Sequence, residues 1–149
     1  MRKAFTMIEL IFVIVIISIL ASIATIKLSA TRDDAKITAT ISNIKIASKD
    51  IISYAVSKDK FKNNILDMSD ALKYMVNSHK ATLENNNSVK IKMGNINDCI
   101  TFKIEKEESK AILKIEKGNA NGNSLCLLLQ NKINTLNYPI IIKGKLIIN

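Results

Sequence analysis

The stretch that decides the fold is residues 1–26, MRKAFTMIELIFVIVIISILASIATI, in which Glu9 is the only charged residue between Phe5 and Ile26. A helix of about 22 residues is roughly 33 Å long, which matches the ~30 Å hydrocarbon core of a bilayer. Lipid offers no partners to backbone N–H and C=O groups, so an isolated spanning segment has to be helical. Residues 5–26 are therefore predicted to form a transmembrane helix.

The charges beside this span predict its orientation. Arg2 and Lys3 crowd the short N-terminal side, and positive charge favours the cytoplasmic face. Lys27 and Arg32 follow the span, but a long C-terminal domain can be translocated regardless of such charges. We expect a cytoplasmic N-terminus, with the bulk of the chain in the periplasm or outside the cell.

Glu9 is the anomaly of the span, because a carboxylate in an apolar run costs several kcal/mol unless it finds a partner. Residues 10–26 contain no basic side chain, and Arg2 and Lys3 lie a turn or more away. No partner is therefore expected within the same helix. Two interpretations stay open: Glu9 sits at the interfacial edge of the membrane, or its partner belongs to another molecule.

The order of residues around Glu9 resembles a known processing signal. A short basic leader, the small residue Ala4, the run FTMIEL at residues 5–10 and an apolar helix resemble the prepilin signal of type IV pilins and type II secretion pseudopilins. The resemblance implies that a prepilin peptidase removes residues 1–4, cutting between Ala4 and Phe5, and that the new amine of Phe5 is methylated. Ala4 departs from the pattern, since the family more often has glycine before the cut.

The resemblance also implies a role for Glu9 in assembly. The mature amine of one subunit would pair with Glu9 of its neighbour, which neutralises two charges in a low-dielectric zone. Buried pairs of this kind are weak evidence for stability but are well suited to setting the register between helices.

Ser18 and Ser22 lie four residues apart, a spacing of small residues that permits close approach of membrane helices. Ordinary tolerance of serine in such helices explains them equally well. Filament-forming major pilins often carry Gly and Pro in this part, whereas this chain has Ser18 and Ile26 at the corresponding places. That departure favours a pseudopilin or minor pilin over a major pilus subunit.

An alternative interpretation is that Ser22-Ile23-Ala24 is an ordinary signal-peptidase site. The protein would then be a secreted or membrane-anchored binding module, or, as a third alternative, a secreted enzyme. Glu9, the length of the apolar block and the helical pattern that continues beyond it favour the prepilin interpretation.

Residues 27–57 are predicted to continue the helix as an amphipathic half, because no breaker separates them from the span. One helix from residue 5 to residue 57 would be roughly 80 Å long. The predicted buried stripe consists of Ile37, Ile41, Ile44, Ser48, Ile51 and Ala55, widened by Ile52 and Val56.

Residues 58–149 are predicted to form a periplasmic α+β head domain. A polar linker, residues 58–64, precedes a second helix over residues 65–79 that is capped by Asp67 or Ser69. Residues 106–109, which include Lys106 and Glu107, are assigned to the turn that precedes residue 111. Alternating apolar residues predict strands at 89–93, 100–104, 111–116, 140–142 and 146–148, with a short helix at 125–132. A small antiparallel sheet packed on the amphipathic helix is also the pilin-like architecture that the resemblance implies.

Two candidate modifications lie in the head. Cys99 and Cys126 can form a bridge in an oxidising compartment, or remain two reduced, buried cysteines. Asn86-Asn87-Ser88 is a minimal glycosylation sequon, and Glu84 lies two residues before Asn86, although sequons also arise by chance in asparagine-rich chains.

The charge and the remaining polar residues indicate no catalytic site. The formal net charge of +9 favours contact with nucleic acid or anionic lipid, but compositional bias toward lysine explains it as well. His79, the single histidine, is interpreted as a surface residue at a helix end. We expect no enzyme activity, no metal and no cofactor.

The resemblance implies a structural subunit of a type II secretion or type IV pilus-like filament in the bacterial inner membrane, serving protein secretion or DNA uptake. Its partners would be other pilin-like subunits, the prepilin peptidase and, indirectly, a membrane platform protein and an assembly ATPase.

Overall fold

The computed structural model describes residues 6–107, 110–133 and 138–143. Helix α1, Met7–Lys58, runs for 52 residues without a break, as the uninterrupted pattern predicts. The chain divides into two compact units, Met1–Lys36 and Ile37–Asn149, and α1 contributes residues to both. In the first unit, residues 6–24 are all exposed although nearly all of them are apolar.

In the second unit, α1 presents a buried stripe. Ile37, Ile44, Ile51 and Ala55 are at most 2% exposed, as a period of 3.6 residues predicts. Ser48 is buried among them, and its hydroxyl donates to the carbonyl oxygen of Ile44 at 2.9 Å. This polar residue of the stripe is therefore satisfied within the helix.

The stripe differs from the predicted one at its margins. Val56 is 70% exposed, so its assignment to the stripe is wrong, whereas Thr40 and Ala47 are buried instead. Each residue turns the helix by about 100°, which carries Val56 off the covered face. Ile41 and Ile52 lie half-buried at the edge.

Two short helices follow where one was predicted. A 3₁₀ helix, η1, covers Ile65–Met68, and α2 covers Asp70–Asn77. Between them Ser69 has extended backbone, and its hydroxyl accepts the Leu72 N–H at 3.3 Å. The Ser69 cap is confirmed, and the single helix over residues 65–79 is wrong because that cap interrupts it.

Five strands form one antiparallel sheet in the order β1-β2-β3-β4-β5. Helix α3, Ser124–Lys132, lies between β4 and β5 in the chain. The strands are β1 Ala81–Asn85, β2 Ser88–Met93, β3 Ile96–Glu107, β4 Lys110–Lys117 and β5 Ile140–Lys143.

The register aligns apolar residues on one face of the sheet. Ile91 lies opposite Ile100, and Phe102 lies opposite Val89 on one side and Ile115 on the other. Side chains alternate between faces, so the other face carries lysine and glutamate. The inner face and the buried residues of α1, η1 and α2 form one hydrophobic core. The fold is therefore α+β and pilin-like, as predicted.

Strand β1 is absent from the sequence prediction. Ala81 is its only buried residue, because β1 lies at the edge of the sheet and has no alternation to detect. Lys106 and Glu107, assigned to a turn, belong to β3 instead. The strand predicted at 146–148 lies outside the described residues.

Candidate functional site

The start of α1 is closed by a reciprocal cap. The Thr6 N–H and hydroxyl donate to Glu9 Oε2 at 2.8 and 2.7 Å, and the Glu9 N–H donates to Thr6 Oγ1 at 3.4 Å. Thr6 precedes the helix and Glu9 is its third residue, so residues 6–9 form a capping box. The cap satisfies terminal helix donors that lipid could not.

Glu9 therefore has a partner in its own chain, contrary to the expectation from sequence. The pattern T-x-x-E before an apolar run is the signature of a capping box. Residues 6–9 have this pattern, so the cap could have been predicted from the sequence. Thr6 is neutral, however, so this contact leaves the negative charge of Glu9 without a counter-ion among the described residues. The register-setting role of Glu9 stays a prediction.

The capped helix continues as an apolar span. Met7–Ala24 has a mean hydropathy of 2.8 over 18 residues, and none of it is buried. At 1.5 Å per residue it is about 27 Å long. It is the one helix in the described part of the chain that is long and apolar enough to cross a membrane. The predicted processing residues, Ala4 and Phe5, lie outside the described residues.

Ser18 and Ser22 are exposed on this span, and their hydroxyls bond back to their own helix. Ser18 Oγ donates to the Ile14 carbonyl oxygen at 2.7 Å, and Ser22 Oγ donates to that of Ile19 at 2.8 Å. With the hydroxyls satisfied, both residues present small surfaces that a second helix can approach. Packing at this spacing stays a prediction.

The head contains a covalent link between β3 and α3. Cys99 and Cys126 form a disulfide with their Cα atoms 5.6 Å apart. Both cysteines are fully buried. The bridge fastens the short helix α3 to the central strand of the sheet.

Gln130 and Gly118 complete this junction. The side-chain amide of Gln130 donates to the carbonyl oxygens of Cys99 and Gly118 at 2.8 and 2.9 Å. A Cβ atom added to Gly118 would lie 2.0 Å from the carbonyl oxygen of Asp98, so only glycine fits at this position. Neither residue is predictable from the sequence alone, since a buried glutamine and a crowded glycine have no local signature.

The candidate glycosylation residue, Asn86, is exposed at the turn between β1 and β2. Its carbonyl oxygen accepts the Ile65 N–H at 2.7 Å, and that of Asn87 accepts the Ile104 N–H at 2.9 Å. Ser88, the hydroxyl residue of the sequon, is 5% exposed and donates to Glu84 Oε2 at 3.0 Å. Each of the three sequon residues is thus hydrogen-bonded in the folded chain.

Acidic residues neutralise lysines on the outer face of the sheet. Lys90 Nζ lies 2.7 Å from Glu84 Oε1 and 3.4 Å from Asp98 Oδ2. Hydrogen bonds from Lys90 and then Ser88 hold the pKa of Glu84 below its usual value, and the bond to Glu84 raises the pKa of Lys90.

A second cluster lies beside it. Lys103 Nζ lies 2.7 Å from Glu116 Oε1 and 3.2 Å from Glu105 Oε1, and Lys114 bonds the other oxygen of Glu105. Bonds from Lys114 and Lys103 lower the pKa of Glu105, and the bond to Glu116 is the main cause of the raised pKa of Lys103. Lys90, Lys103 and Lys114 are therefore each paired with carboxylates on this face of the sheet.

His79 lies at the exposed end of α2, as predicted, in left-handed backbone with φ 57°. The His79 N–H donates to the Val76 carbonyl at 3.0 Å and the Lys80 N–H to that of Met75 at 2.9 Å, which is a Schellman motif. Within residues 6–107, 110–133 and 138–143, no group of three or more His, Cys, Asp or Glu side chains could hold a metal ion.

Comparison with known proteins bears on the N-terminal segment. Residues 1–25 match a family model described as the prokaryotic N-terminal methylation motif. No curated protein and no solved structure matches the chain. The matched residues include the basic leader, the capping box and nearly all of the apolar span, so this segment is similar to the cleavage and methylation segment of type IV pilin-like proteins.

Proposed function

We propose that this chain is a structural subunit, a pseudopilin or minor pilin, of a type II secretion or type IV pilus-like filament. The match of residues 1–25 to the methylation motif carries the proposal. The subunit is assembled through α1 and catalyses no reaction itself. The chemistry belongs to its partners: the prepilin peptidase, and indirectly the platform protein and the assembly ATPase.

Before assembly, the subunit is stored in the bacterial inner membrane with a single span, residues 5–26. Arg2 and Lys3 keep the N-terminus in the cytoplasm. The amphipathic half, residues 27–57, and the head, residues 58–149, lie in the periplasm. The peptidase removes residues 1–4, and the new amine of Phe5 is methylated.

Glu9 then sets the register between subunits. Thr6 holds one carboxylate oxygen, Oε2, against the helix start at 2.7–2.8 Å, which orients the group but cannot neutralise it. An unpaired charge in lipid costs several kcal/mol. The amine on Phe5 of a neighbouring subunit supplies the missing cation, so assembly relieves a cost that the single chain bears in the membrane.

The filament serves protein secretion or DNA uptake in this proposal. The formal net charge of +9, lowered by two when Arg2 and Lys3 leave with the leader, tilts the choice slightly toward DNA, since basic surfaces attract anionic polymers. Against a dedicated DNA surface stand the ion pairs that occupy lysines on the sheet.

The bridge between Cys99 and Cys126 is proposed to form after export, where the compartment is oxidising. Alkylation of the purified protein should add mass only after reduction. Equal mass with and without prior reduction would argue for two reduced, buried cysteines.

The deciding experiment is the N-terminal mass and sequence of the protein purified from its native membrane. We expect a chain that begins with methylated Phe5. A chain that begins after Ala24 would contradict the proposal and indicate an ordinary secreted binding module. A chain that still carries residues 1–4 would contradict processing.

A further inference from the structure

A groove of about 690 Å³ lies in the second unit, between α1 on one side and η1 with α2 on the other. Its charge is opposite to that of the chain as a whole. Asp50, Asp67 and Asp70 line it, and none of the lining residues is basic, although the formal net charge is +9. The groove is therefore an acidic concavity on a basic protein.

The groove also has the composition of a protein interface. Tyr54 and Tyr74, two of the three tyrosines in the chain, line it together with Ile46, which is 45% exposed. Tyrosine is enriched at protein interfaces because it combines a large apolar ring with a polar tip. The Tyr74 ring is held in place by Lys80, whose Nζ lies 5.0 Å from the ring centroid.

A hydrogen bond joins the two walls of the groove, but one of its three carboxylates has no partner among the described residues. Asp50 Oδ2 accepts the Ser69 hydroxyl at 2.8 Å, which ties α1 to the cap of α2. Asp67 lies 3.8 Å from Lys73, and both side chains are about half exposed. The Asp70 carboxylate makes no hydrogen bond or ion pair with any described residue. A cation brought into the groove would meet a carboxylate that no described residue occupies.

A matching surface exists on another face of α1. Lys45, Lys49 and Val56 are spaced by four and seven residues, which places them on one side of the helix. Both lysines are exposed, and Val56 is 70% exposed. We call these three residues the lysine face. It lies roughly 100° around the helix from Asp50, so it is a different surface from the groove.

We propose that the acidic groove receives the lysine face of a second copy of this chain. The inference rests on the proposed function, which places pilin-like subunits side by side, and it adds which surfaces meet when the neighbour is a second copy of this chain. Groove against groove would oppose like charges, so a two-fold contact is disfavoured. Groove against lysine face joins two different patches, and such heterologous contacts build open helical assemblies when the rotation does not close. The contact thus has the symmetry that a filament requires.

Cross-linking of the full-length mature chain tests the contact directly. Equal amounts of ¹⁴N- and ¹⁵N-labelled chain, purified from membranes in detergent, are mixed and treated with a zero-length carbodiimide that joins carboxylates to amines. We expect mixed-isotope peptides that join Asp67 or Asp70 to Lys45 or Lys49. Mixed-isotope links that leave the groove out, or links within single chains alone, would overturn the inference.

Charge reversal sharpens the test. The Asp67→Lys/Asp70→Lys variant and the Lys45→Glu/Lys49→Glu variant should each lose roughly tenfold of the interchain links, because like charges then oppose each other. Mixing the two variants should restore the links, since each groove again meets a face of opposite charge. Failure of the mixture to recover while both variants remain folded would contradict the pairing.

Two controls separate the local charge of the groove from the net charge of the chain. Asp67→Asn/Asp70→Asn removes two negative charges and should weaken the links less than reversal does. Asn97→Lys/Asn131→Lys changes the net charge equally at exposed positions outside the groove, and it should leave the links at the wild-type level. An equal loss in this control would mean that net charge alone governs association, which would overturn the inference.

The N-terminal mass of the same wild-type sample distinguishes the two proposals. Methylated Phe5 without groove links would end the inference and leave the proposed function standing. A chain that begins after Ala24 would end the proposed function, and the docking inference with it.

Discussion

Residues 7–24 and residues 37–58 share the backbone geometry of one helix but differ in what their side chains meet. In the first stretch every residue is exposed, and the side chains are almost all apolar. In the second, Ile37, Ile44 and Ile51 are buried while the lysines between them are exposed. The same helical period thus serves two solvents, lipid around the first stretch in our proposal and a protein core beside the second.

The two stretches also differ in the kind of interaction that stabilises them. The apolar stretch is held by local bonds: the capping box at residues 6–9 and the serine hydroxyls that return to their own helix. In the first stretch, a small number of polar atoms therefore makes the specific contacts. The amphipathic stretch is stabilised by tertiary packing, through apolar contacts that are distributed over many residues.

The largest expected effect comes from Glu9. Glu9→Gln keeps an oxygen that can accept from Thr6 and therefore keeps the cap, but it removes the charge. If the charge pairs with a neighbour's amine, this variant inserts normally and loses assembly, since breaking a buried pair costs about 3–5 kcal/mol. Filament yield and interchain cross-links measure the result.

Thr6→Ala is the matched control for Glu9→Gln. It removes the Thr6 hydroxyl from the cap and keeps the carboxylate, so we expect a milder loss, on the order of 1 kcal/mol. Wild-type assembly by Glu9→Gln together with failure of Thr6→Ala would make Glu9 a capping residue only. The polar contacts of the apolar stretch would then serve only to stabilise its own helix.

The second effect contrasts the two stretches by truncation. Ile51→Ala empties a fully buried position and should destabilise the head by about 2–5 kcal/mol. Ile14→Ala removes the same atoms from an exposed position and should leave the unfolding midpoint of the head unchanged. Thermal unfolding followed by near-UV circular dichroism of the tyrosines measures both.

Val56→Ala tests the boundary of the buried stripe within the amphipathic half of α1. Because Val56 is 70% exposed, its truncation should change stability by less than about 0.5 kcal/mol. A loss comparable to that of Ile51→Ala would return Val56 to the core.

A smaller effect, of opposite sign, is expected at His79. Its left-handed backbone, φ 57°, strains a residue that has a Cβ atom. His79→Gly should raise the free energy of unfolding by up to about 1 kcal/mol. His79→Ala keeps the Cβ and should show no such gain, so equal behaviour of the two variants would exclude strain as the cause.

The smallest effect is a pH dependence from the outer face of the sheet. The pKa values of Glu84 and Glu105 are lowered from about 4.5 by their lysine bonds. A lowered folded-state pKa contributes stability that is present above the unfolded value and is lost as the pH falls through the folded one. The head should therefore lose stability below about pH 4.5, and Glu84→Gln/Glu105→Gln should flatten that slope. An unchanged slope would show that other groups dominate acid unfolding.

Sequence patterns sufficed where periodicity is strong. The apolar run fixed the first part of α1, and alternation at Val89, Ile91 and Met93 located β2. Edge strand β1 escaped because one buried residue makes no pattern. The interruption of the helix at Ser69 was not predicted. A serine within a helical pattern is compatible both with a helix that starts there and with one that continues through it. The charged groove also has no sequence signature, since it joins residues from separate elements.

The hydrogen bonds of the hairpin that contains Asn86 bear on when this residue can be modified. Two backbone bonds fasten its tip to Ile65 and Ile104, and Ser88 is turned inward. If the modifying enzyme binds the sequon as an extended peptide, any sugar on Asn86 has to be attached before the hairpin closes. Folded protein offered to the enzyme should stay bare while a peptide of residues 84–88 is modified. The time that the hairpin takes to fold would then set the time available for this modification.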